Sequence, residues 1–460
     1  MPTLPFFVSL RGILFAMGVQ TMNYPQSVEW LLKKLEQEGY RAWLVGGALR
    51  DSLLGKIPKD WDVATVAPVA RVLELLKDQA RIVPTGLKHG TVTVIRDDLA
   101  VEVTELRAED LTGDLGGRDF TINALAWSRE EGFIDPWGGQ EDLQQRIIRA
   151  TVSPRERFQE DPLRLLRVVR FAVQLDFTID KDTYQQLKEQ AALLTGVSPE
   201  RIREELVKIL VSPRPAQGME LLQETGLLKT FLPEIEEGVG FNQHHHRHHK
   251  DVFGHTLLVL EQIPPQPLLR LAALFHDVAK PRTFSLDSQG VGHFYGHDEA
   301  GAKLTGQIMR RLRFDTDTIQ RVKNLVQNHT LSLSYPNIRP HKIVHSVGLE
   351  NLDHLFALQR ADKLGGSGKE EDLAKIQAMA EKVQQAIENK EPLHKSDLAI
   401  TGHDLIKLGF EGKALGQTLA KLLDLTVKDP TLNQRDTLLA IARDTEASPS
   451  QTKSLNSSTP

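Results

Sequence analysis

Leu44-Val45-Gly46-Gly47-Ala48-Leu49-Arg50-Asp51-Ser52-Leu53-Leu54-Gly55, followed by Lys59-Asp60-Trp61-Asp62-Val63-Ala64-Thr65, is the stretch on which the reading of this chain turns. An apolar run ends in two glycines, an Arg-bearing helix starts, a glycine stops it, and a short strand presents two aspartates one residue apart. Residues i and i+2 of a strand point to the same face, so Asp60 and Asp62 are placed to hold divalent cations against a triphosphate. Gly46 and Gly47 let the backbone approach phosphates. A lone Gly-Gly is ordinarily a tight turn, and a lone Asp-x-Asp is ordinarily solvated. Their combination in a strand-turn-helix-strand context is far more specific.

The stretch resembles the signature of the nucleotidyltransferase superfamily, in the form used by class II tRNA nucleotidyltransferases and bacterial poly(A) polymerases. The chain downstream carries further matches. Segments 90–95 and 100–104 are β-rich, with Arg96-Asp97-Asp98 reading as a hairpin turn between them. On the second of these strands Glu102 stands in a Val-Glu-Val-Thr context where the family carries a third carboxylate. Arg118-Asp119-Phe120-Thr121-Ile122-Asn123-Ala124 resembles the second motif, and an Arg there neutralises triphosphate charge. Asp135-Pro136-Trp137-Gly138-Gly139 resembles the third, a turn-rich link between head and neck.

A local basic patch follows, with Arg146, Arg149, Arg155, Arg157, Arg164, Arg167 and Arg170. Within it, Asp161, Arg164, Arg167 and Arg170 recur every third residue, which keeps them on one half of a helix while Leu165, Leu166 and Val169 face the core. Pro162 suits the first turn and Asp161 the N-cap. A carboxylate can accept from the exocyclic amine shared by C and A, and a guanidinium can donate to the neighbouring ring acceptor; U and G present the opposite pattern. The Glu160-Asp161-x-x-Arg164 arrangement matches the family's nucleotide-selecting motif, so the resemblance assigns base recognition to Asp161 and Arg164, with Arg167 and Arg170 serving the triphosphate. The segment 198–206 resembles a fifth, mainly structural motif.

Farther on, His255, His276-Asp277, His297, His329 and Asp362 resemble, in order, the HD phosphohydrolase superfamily, including the two extra histidines of its two-metal members. The adjacent His-Asp pair supplies a nitrogen and a bridging oxygen, and two metals activate water for phosphoester attack. The internal histidine run at 244–249 is a separate, adventitious metal-binding feature.

Composition agrees. The chain has 460 residues, 40% of them hydrophobic, a net charge of −5 and no cysteine. A core is affordable, a generally basic nucleic-acid binder is excluded, and RNA contact must be local. Metal chemistry must rest on His and carboxylates, and a reducing cytoplasm suits the chain. Arg11 interrupts the apolar segment 4–19, which falls short of the roughly 20 residues of a membrane span, so we expect no membrane association and a working start at Met17 or Met22.

The resemblance therefore implies an α+β chain: a small mixed-sheet head followed by all-α neck, HD and C-terminal domains. The boundaries expected are an extension (1–22), the nucleotidyltransferase head (23–127), the neck (128–235), the HD domain (236–372), a helical RNA-binding region (373–445) and a disordered tail (446–460). It implies transfer of nucleotides from CTP and ATP to the tRNA 3′ end with Mg2+, releasing pyrophosphate, and a second divalent metal site in the HD domain. Two departures stand out. Gly116-Gly117 replaces a basic residue before Arg118, and only 108–117 separates Arg107 from the second motif where full CCA-adding members carry a long loop. Loss of that loop marks CC-adding members. Poly(A) polymerase or A-adding activity, and an HD metallophosphohydrolase with an inert head, are the alternatives.

Overall fold

A computed structural model of the chain describes residues 22–243, 250–331, 340–366 and 368–446. The histidine run 244–249, the tail from 447 and all but Met22 of the expected extension lie outside the described residues. The chain divides into two compact units, Met1–Phe231 and Leu232–Pro460.

The first unit opens with α1 (Gln26–Gln37), which buries Val28, Leu31, Leu32 and Leu35 at helical spacing. It feeds β1 (Ala42–Val45), buried along its whole length. Next come α2 (Gly47–Leu53), β2 (Trp61–Thr65), α3 (Val69–Leu76), β3 (Arg81–Gly86), β4 (Thr91–Arg96), β5 (Leu99–Glu105), α4 (Leu111–Gly116), β6 (Ala126–Ser128) and β7 (Gly132–Ile134). The seven strands lie in the order β3-β4-β5-β2-β1-β6-β7. Only the central β2–β5 pairing is parallel, and it sets Asp62 opposite Glu102. The β4–β5 turn is a hairpin as expected, but a two-residue one: Arg96 pairs with Leu99, and Asp97 and Asp98 take φ 49° and 60°. Strand β3, rich in turn-forming neighbours and carrying Pro84, was not anticipated. It is an edge strand with a register shift after Val83, where the ladder tolerates a missing N–H.

The helical continuation contains α5 (Gly139–Gln145), β8 (Ile147–Ile148), α6 (Pro154–Glu160), α7 (Arg164–Leu175), β9 (Thr178–Ile179), α8 (Lys181–Gln190), α9 (Pro199–Leu210) and α10 (Pro215–Glu224). The neck is thus helical apart from the two-residue parallel pair β8–β9. Helix α7 starts at Arg164, so Asp161 is not its N-cap. Asp161 sits in an extended link at φ −142°, and its carboxylate accepts from the Leu163 N–H at 3.2 Å. Asp60 likewise precedes β2 rather than lying within it.

The second unit is helical: α11 (Val252–Gln262), α12 (Pro267–Phe275), the small hairpin β10 (Ser285–Leu286) with β11 (Gly292–His293), then α13 (His297–Arg311), α14 (Thr316–Asn328), α15 (Pro340–Val347), α16 (Leu352–Gly365) and α17 (Glu370–Glu388). It ends with α18 (Gly402–Ile406), α19 (Gly412–Lys428) and α20 (Arg435–Glu446), around a core of Leu398, Ile400, Leu405, Phe410, Leu422, Leu423, Leu438 and Ala442. Gly409 and Gly412, at φ 92° and 53°, make the break between α18 and α19. Among the described residues no helix is long and apolar enough to cross a membrane.

The third sequence motif is a structural clamp. The Asp135 carboxylate accepts from the Gly139 and Gln140 amides at 2.7 and 2.8 Å, and the Thr121 hydroxyl donates to Asp142 at 2.6 Å. A Cβ on Gly139 would lie 2.1 Å from the Thr121 carbonyl oxygen. Gly139→Ala is therefore expected to destabilise the first unit by about 2–4 kcal/mol, read as a lowered urea midpoint.

Candidate functional site

The head site is built at the parallel centre of the sheet. Asp62 and Glu102 are direct cross-strand partners on β2 and β5, and Asp60 stands just before β2 on the same side of the alternation. Asp62 is half-buried, and Asp60 and Glu102 are exposed. Burial pushes the Asp62 carboxyl up to about 6, the nearby Glu102 and Asp60 charges add to the rise, and Arg118 opposes it. Such a carboxylate cluster is poorly satisfied by the chain itself and fits divalent cations with oxygen ligands.

Gly46 takes φ 76° with ψ −139°, a backbone reserved for glycine. A Cβ there would lie 2.8 Å from the Arg118 guanidinium and 3.3 Å from Asp62 Oδ2, so the glycine, the arginine and the aspartate converge on one point. Gly47 begins α2 close to Arg50, at 3.5 Å from the guanidinium to the same kind of Cβ. Burial pushes Arg118 below its usual value, opposed by Asp114, Asp62 and Asp119.

A chain of hydrogen bonds then runs from α2 to α7. Arg50 donates to Asp51 Oδ1 at 2.9 Å and to Asn123 Oδ1 at 2.7 Å. Asn123 Nδ2 donates to Asp119 Oδ1 at 2.9 Å, and Arg167 Nε donates to Asp119 Oδ2 at 2.8 Å. Burial alone would raise the Asp119 pKa, but Arg167, Asn123 and the Phe120 amide hold it below its ordinary value. Asn123 was passed over in the sequence as one letter of a motif. Only its contacts reveal it as the link between two arginines.

The arginines of α7 do not form the open row that their spacing suggests. Arg164 is nearly buried and donates to the Gly117 and Arg157 carbonyls at 2.8 and 3.2 Å. Arg170 is buried 2.9 Å from Glu205 of α9. Burial pushes its guanidinium down to about 10, with Glu205 opposing. The pair braces α7 against α9. Glu205 comes from the motif expected to be structural. Asp161 is partly exposed and receives Arg201 at 2.8 Å.

In the second unit six residues from five separate segments meet. His276 and Asp277 follow the C-terminal end of α12, with His255 from α11, His297 from α13, His329 just past α14, and Asp362 from α16. Asp277 Oδ2 lies 3.1 Å from His276 Nε2 and 3.6 Å from His255 Nε2. Its Oδ1 lies 3.6 Å from Nε2 of both His297 and His329. Asp362 Oδ1 is 3.0 Å from His255 Nε2 and 3.9 Å from His276 Nε2. Two ligand groups result, His255-His276-Asp277 and Asp277-His297-His329, sharing one carboxylate.

Each imidazole turns its Nδ1 to a backbone carbonyl: Gly365 for His255, Ala273 for His276, Phe294 for His297 and Val326 for His329. This leaves Nε2 as the lone-pair side, the orientation metal-binding histidines take. Burial pushes His297 toward the neutral form. Burial would raise Asp277, but His276, Lys280 and the hydrogen bonds from His276 and His329 hold it well below the usual range. Lys280, 2.7 Å from Asp277 Oδ2, escaped the sequence reading because a lysine one turn after a ligand looks like surface charge.

Comparison with known proteins follows the same division. Residues 42–149 match the Poly A polymerase head domain, 176–238 the Probable RNA and SrmB- binding site of polymerase A, and 245–366 the HD domain. An A-adding tRNA nucleotidyltransferase of Deinococcus radiodurans is 38% identical over 340 residues, covering 71% of this chain and 77% of its own. A CC-adding tRNA nucleotidyltransferase of Thermus thermophilus is 34% identical over 399 residues, covering 83% and 89%. The crystal structure of the Bacillus stearothermophilus CCA-adding enzyme in complex with CTP matches with a TM-score of 0.72 at 26% identity, covering 93% of this chain and 98% of that one.

Two outcomes are expected. Because Asp62 is raised to about 6 from 3.8, the folded state holds its proton through that interval. Stability falls as pH rises from about 4 to 6, and the full penalty stands above it. Asp62→Asn should thus melt above wild type at pH 8 without divalent cation, by about 1–2 kcal/mol, converge with it near pH 4, and lose its advantage when magnesium is added. In the second unit, Asp277→Asn should retain two fewer manganese ions per chain after dialysis and His276→Ala one fewer, counted by atomic absorption, because Asp277 belongs to both ligand groups.

Proposed function

This chain belongs to the tRNA nucleotidyltransferase and poly(A) polymerase family, and on that premise we propose that it adds CMP residues from CTP to the tRNA 3′ end and leaves the terminal A to a separate enzyme. The link before Arg118 carries the choice of product. In the family a long loop at this point assists the switch from C to A. Here the chain passes directly from β5 into the six-residue helix α4, capped by Asp110 through the Gly113 amide at 2.7 Å. The far end is tied as well. Trp137 Nε1 donates to the Thr112 carbonyl at 3.3 Å, Arg157 and the Thr151 hydroxyl donate to the Gly116 carbonyl at 3.1 and 3.0 Å, and Arg164 donates to the Gly117 carbonyl. A Cβ at Gly116 would lie 2.8 Å from the Trp137 ring, which gives the Gly-Gly departure a packing reason. A base-reading arginine fastened to a short, tied link suits one base setting.

In this reading Asp60, Asp62 and Glu102 hold Mg2+, which when bound lowers the pKa of the acceptor hydroxyl and neutralises the departing pyrophosphate. Gly46 and Gly47 admit the phosphates, and Arg118 supplies positive charge beside Asp62. Arg50 and Arg167 are oriented through Asn123 and Asp119. The Asp161 carboxylate accepts from the cytosine amine, and Arg164 donates to the neighbouring ring acceptor. The parts expected from the sequence serve as head, nucleotide-selecting neck, HD domain and tRNA-gripping C-terminal helices, in a reducing cytoplasm. His255, His276, Asp277, His297, His329 and Asp362 make the HD domain a phosphohydrolase, holding two divalent metals that activate water when bound.

Incubation of the protein with tRNA lacking its 3′ end, CTP and ATP is expected to stop at a CC end. A finished CCA end would sink the CC assignment; A added only to tRNA already ending in CC would give the A-adding activity of the Deinococcus relative, and long A tails on other primers a poly(A) polymerase. Asp60→Ala should lower nucleotide addition by at least about 1,000-fold and spare phosphoester hydrolysis, with His276→Ala doing the converse.

A further inference from the structure

We propose that Tyr295, backed by His293 and Asp287, is a stacking platform by which the HD cavity selects phosphoesters that carry a nucleobase. This rests on the reading of the second unit as a metal-dependent phosphoester site. The cavity encloses about 400 Å³ and includes Asp277, Lys280, Lys363, His293 and Tyr295 among its walls, a volume that suits a ligand of nucleotide size. Asp277 is 2% exposed and Tyr295 77%, so the metal-ligating groups form the floor and the tyrosine stands at the mouth.

An exposed tyrosine is ordinarily a surface residue free to rotate. This one is held. Its ring lies parallel to that of His293, 9° between planes and 5.2 Å between centroids. His293 Nε2 meets Asp287 Oδ2 at 2.9 Å, and Asp287 Oδ1 accepts from the Gln289 and Val291 amides, both at 2.9 Å. The β10–β11 turn thus fixes the carboxylate, the carboxylate fixes the imidazole, and the imidazole stacks, offset, on the phenol. Neighbouring Phe294 packs on Phe284 at 5.6 Å, and a Cβ at Gly292 would lie 2.2 Å from the Gln243 carbonyl oxygen, so the strand that carries the pair is pinned. What remains is an aromatic face at the mouth of a cavity whose floor gathers the candidate metal ligands, with Lys280 paired to Asp277 at 2.7 Å and Lys363 to Asp362 at 2.9 Å.

A phosphate needs only the floor. A planar face at a distance from it adds affinity only when the ester bears a flat ring, and base stacking on a protein aromatic ring tolerates every base. The platform therefore sorts nucleoside phosphates from sugar or glycerol phosphates without reading sequence.

The test titrates the full chain, loaded with manganese, with adenosine 3′-monophosphate and with glycerol 2-phosphate by calorimetry, and follows phosphate release from both. Tyr295→Ala is expected to weaken the adenosine ester roughly 10-fold, to change glycerol 2-phosphate less than about 2-fold, and to leave CTP affinity at the head unchanged, while Tyr295→Trp restores the adenosine ester. Equal losses for both ligands, no loss for either, or no measurable binding to the wild type would overturn the platform. Tyr295-dependent binding without phosphate release would retire the hydrolase reading and leave the platform standing. Release from both esters at equal efficiency, unaffected by Tyr295→Ala, would do the reverse.

Discussion

Like charges held in a half-buried cleft are the constraint on which the head depends. The parallel pairing of β2 with β5 places Asp62 beside Glu102, with Arg118 as an opposing charge. The cost shows in the raised Asp62 carboxyl. Around it the fold arranges everything else: Gly46 without a side chain so that Arg118 can come close, and a sheet whose one parallel pair sits where the two carboxylates must meet. The second unit solves the opposite problem. Asp277 is fully buried among imidazoles and Lys280, and its charge is favoured rather than resisted. One unit gathers carboxylate oxygens alone; the other gathers nitrogens about a shared carboxylate. The first suits hard, oxygen-liganded cations and the second suits metals that accept imidazole.

Between the head sheet and helix α7 the coupling is ionic and buried. Arg50, Asn123, Asp119 and Arg167 form a continuous line, and Arg170 with Glu205 anchors the far side of the same helix. Breaking one partner of such a buried pair leaves an uncompensated charge, which is why these contacts fix position more than they add stability.

Much of the site was legible because chemistry at a strand edge needs particular residues at particular spacing. Asp60, Asp62, Glu102 and the six residues from His255 to Asp362 could be picked out along the chain, as could the β4–β5 hairpin. The arginines were less legible. A repeat of three places residues on one helical face but does not say whether that face meets water or another helix, so the pairing of Arg170 with Glu205 was not legible. Asp161 read as a cap because the helix start was placed two residues early; Asp161 is in fact extended.

The sequence by itself determined the family of the head and of the second unit, since two aspartates one residue apart after a Gly-Gly turn, and an ordered His and Asp series, are patterns read along the chain. Local order along the chain carries that information. Which oxygen faces which nitrogen, that Asp277 belongs to two ligand groups, that Asn123 joins two arginines, and that Tyr295 is held flat against His293 were decided only by tertiary structure. These depend on side chains brought together from distant segments, whose meeting no spacing along the chain records.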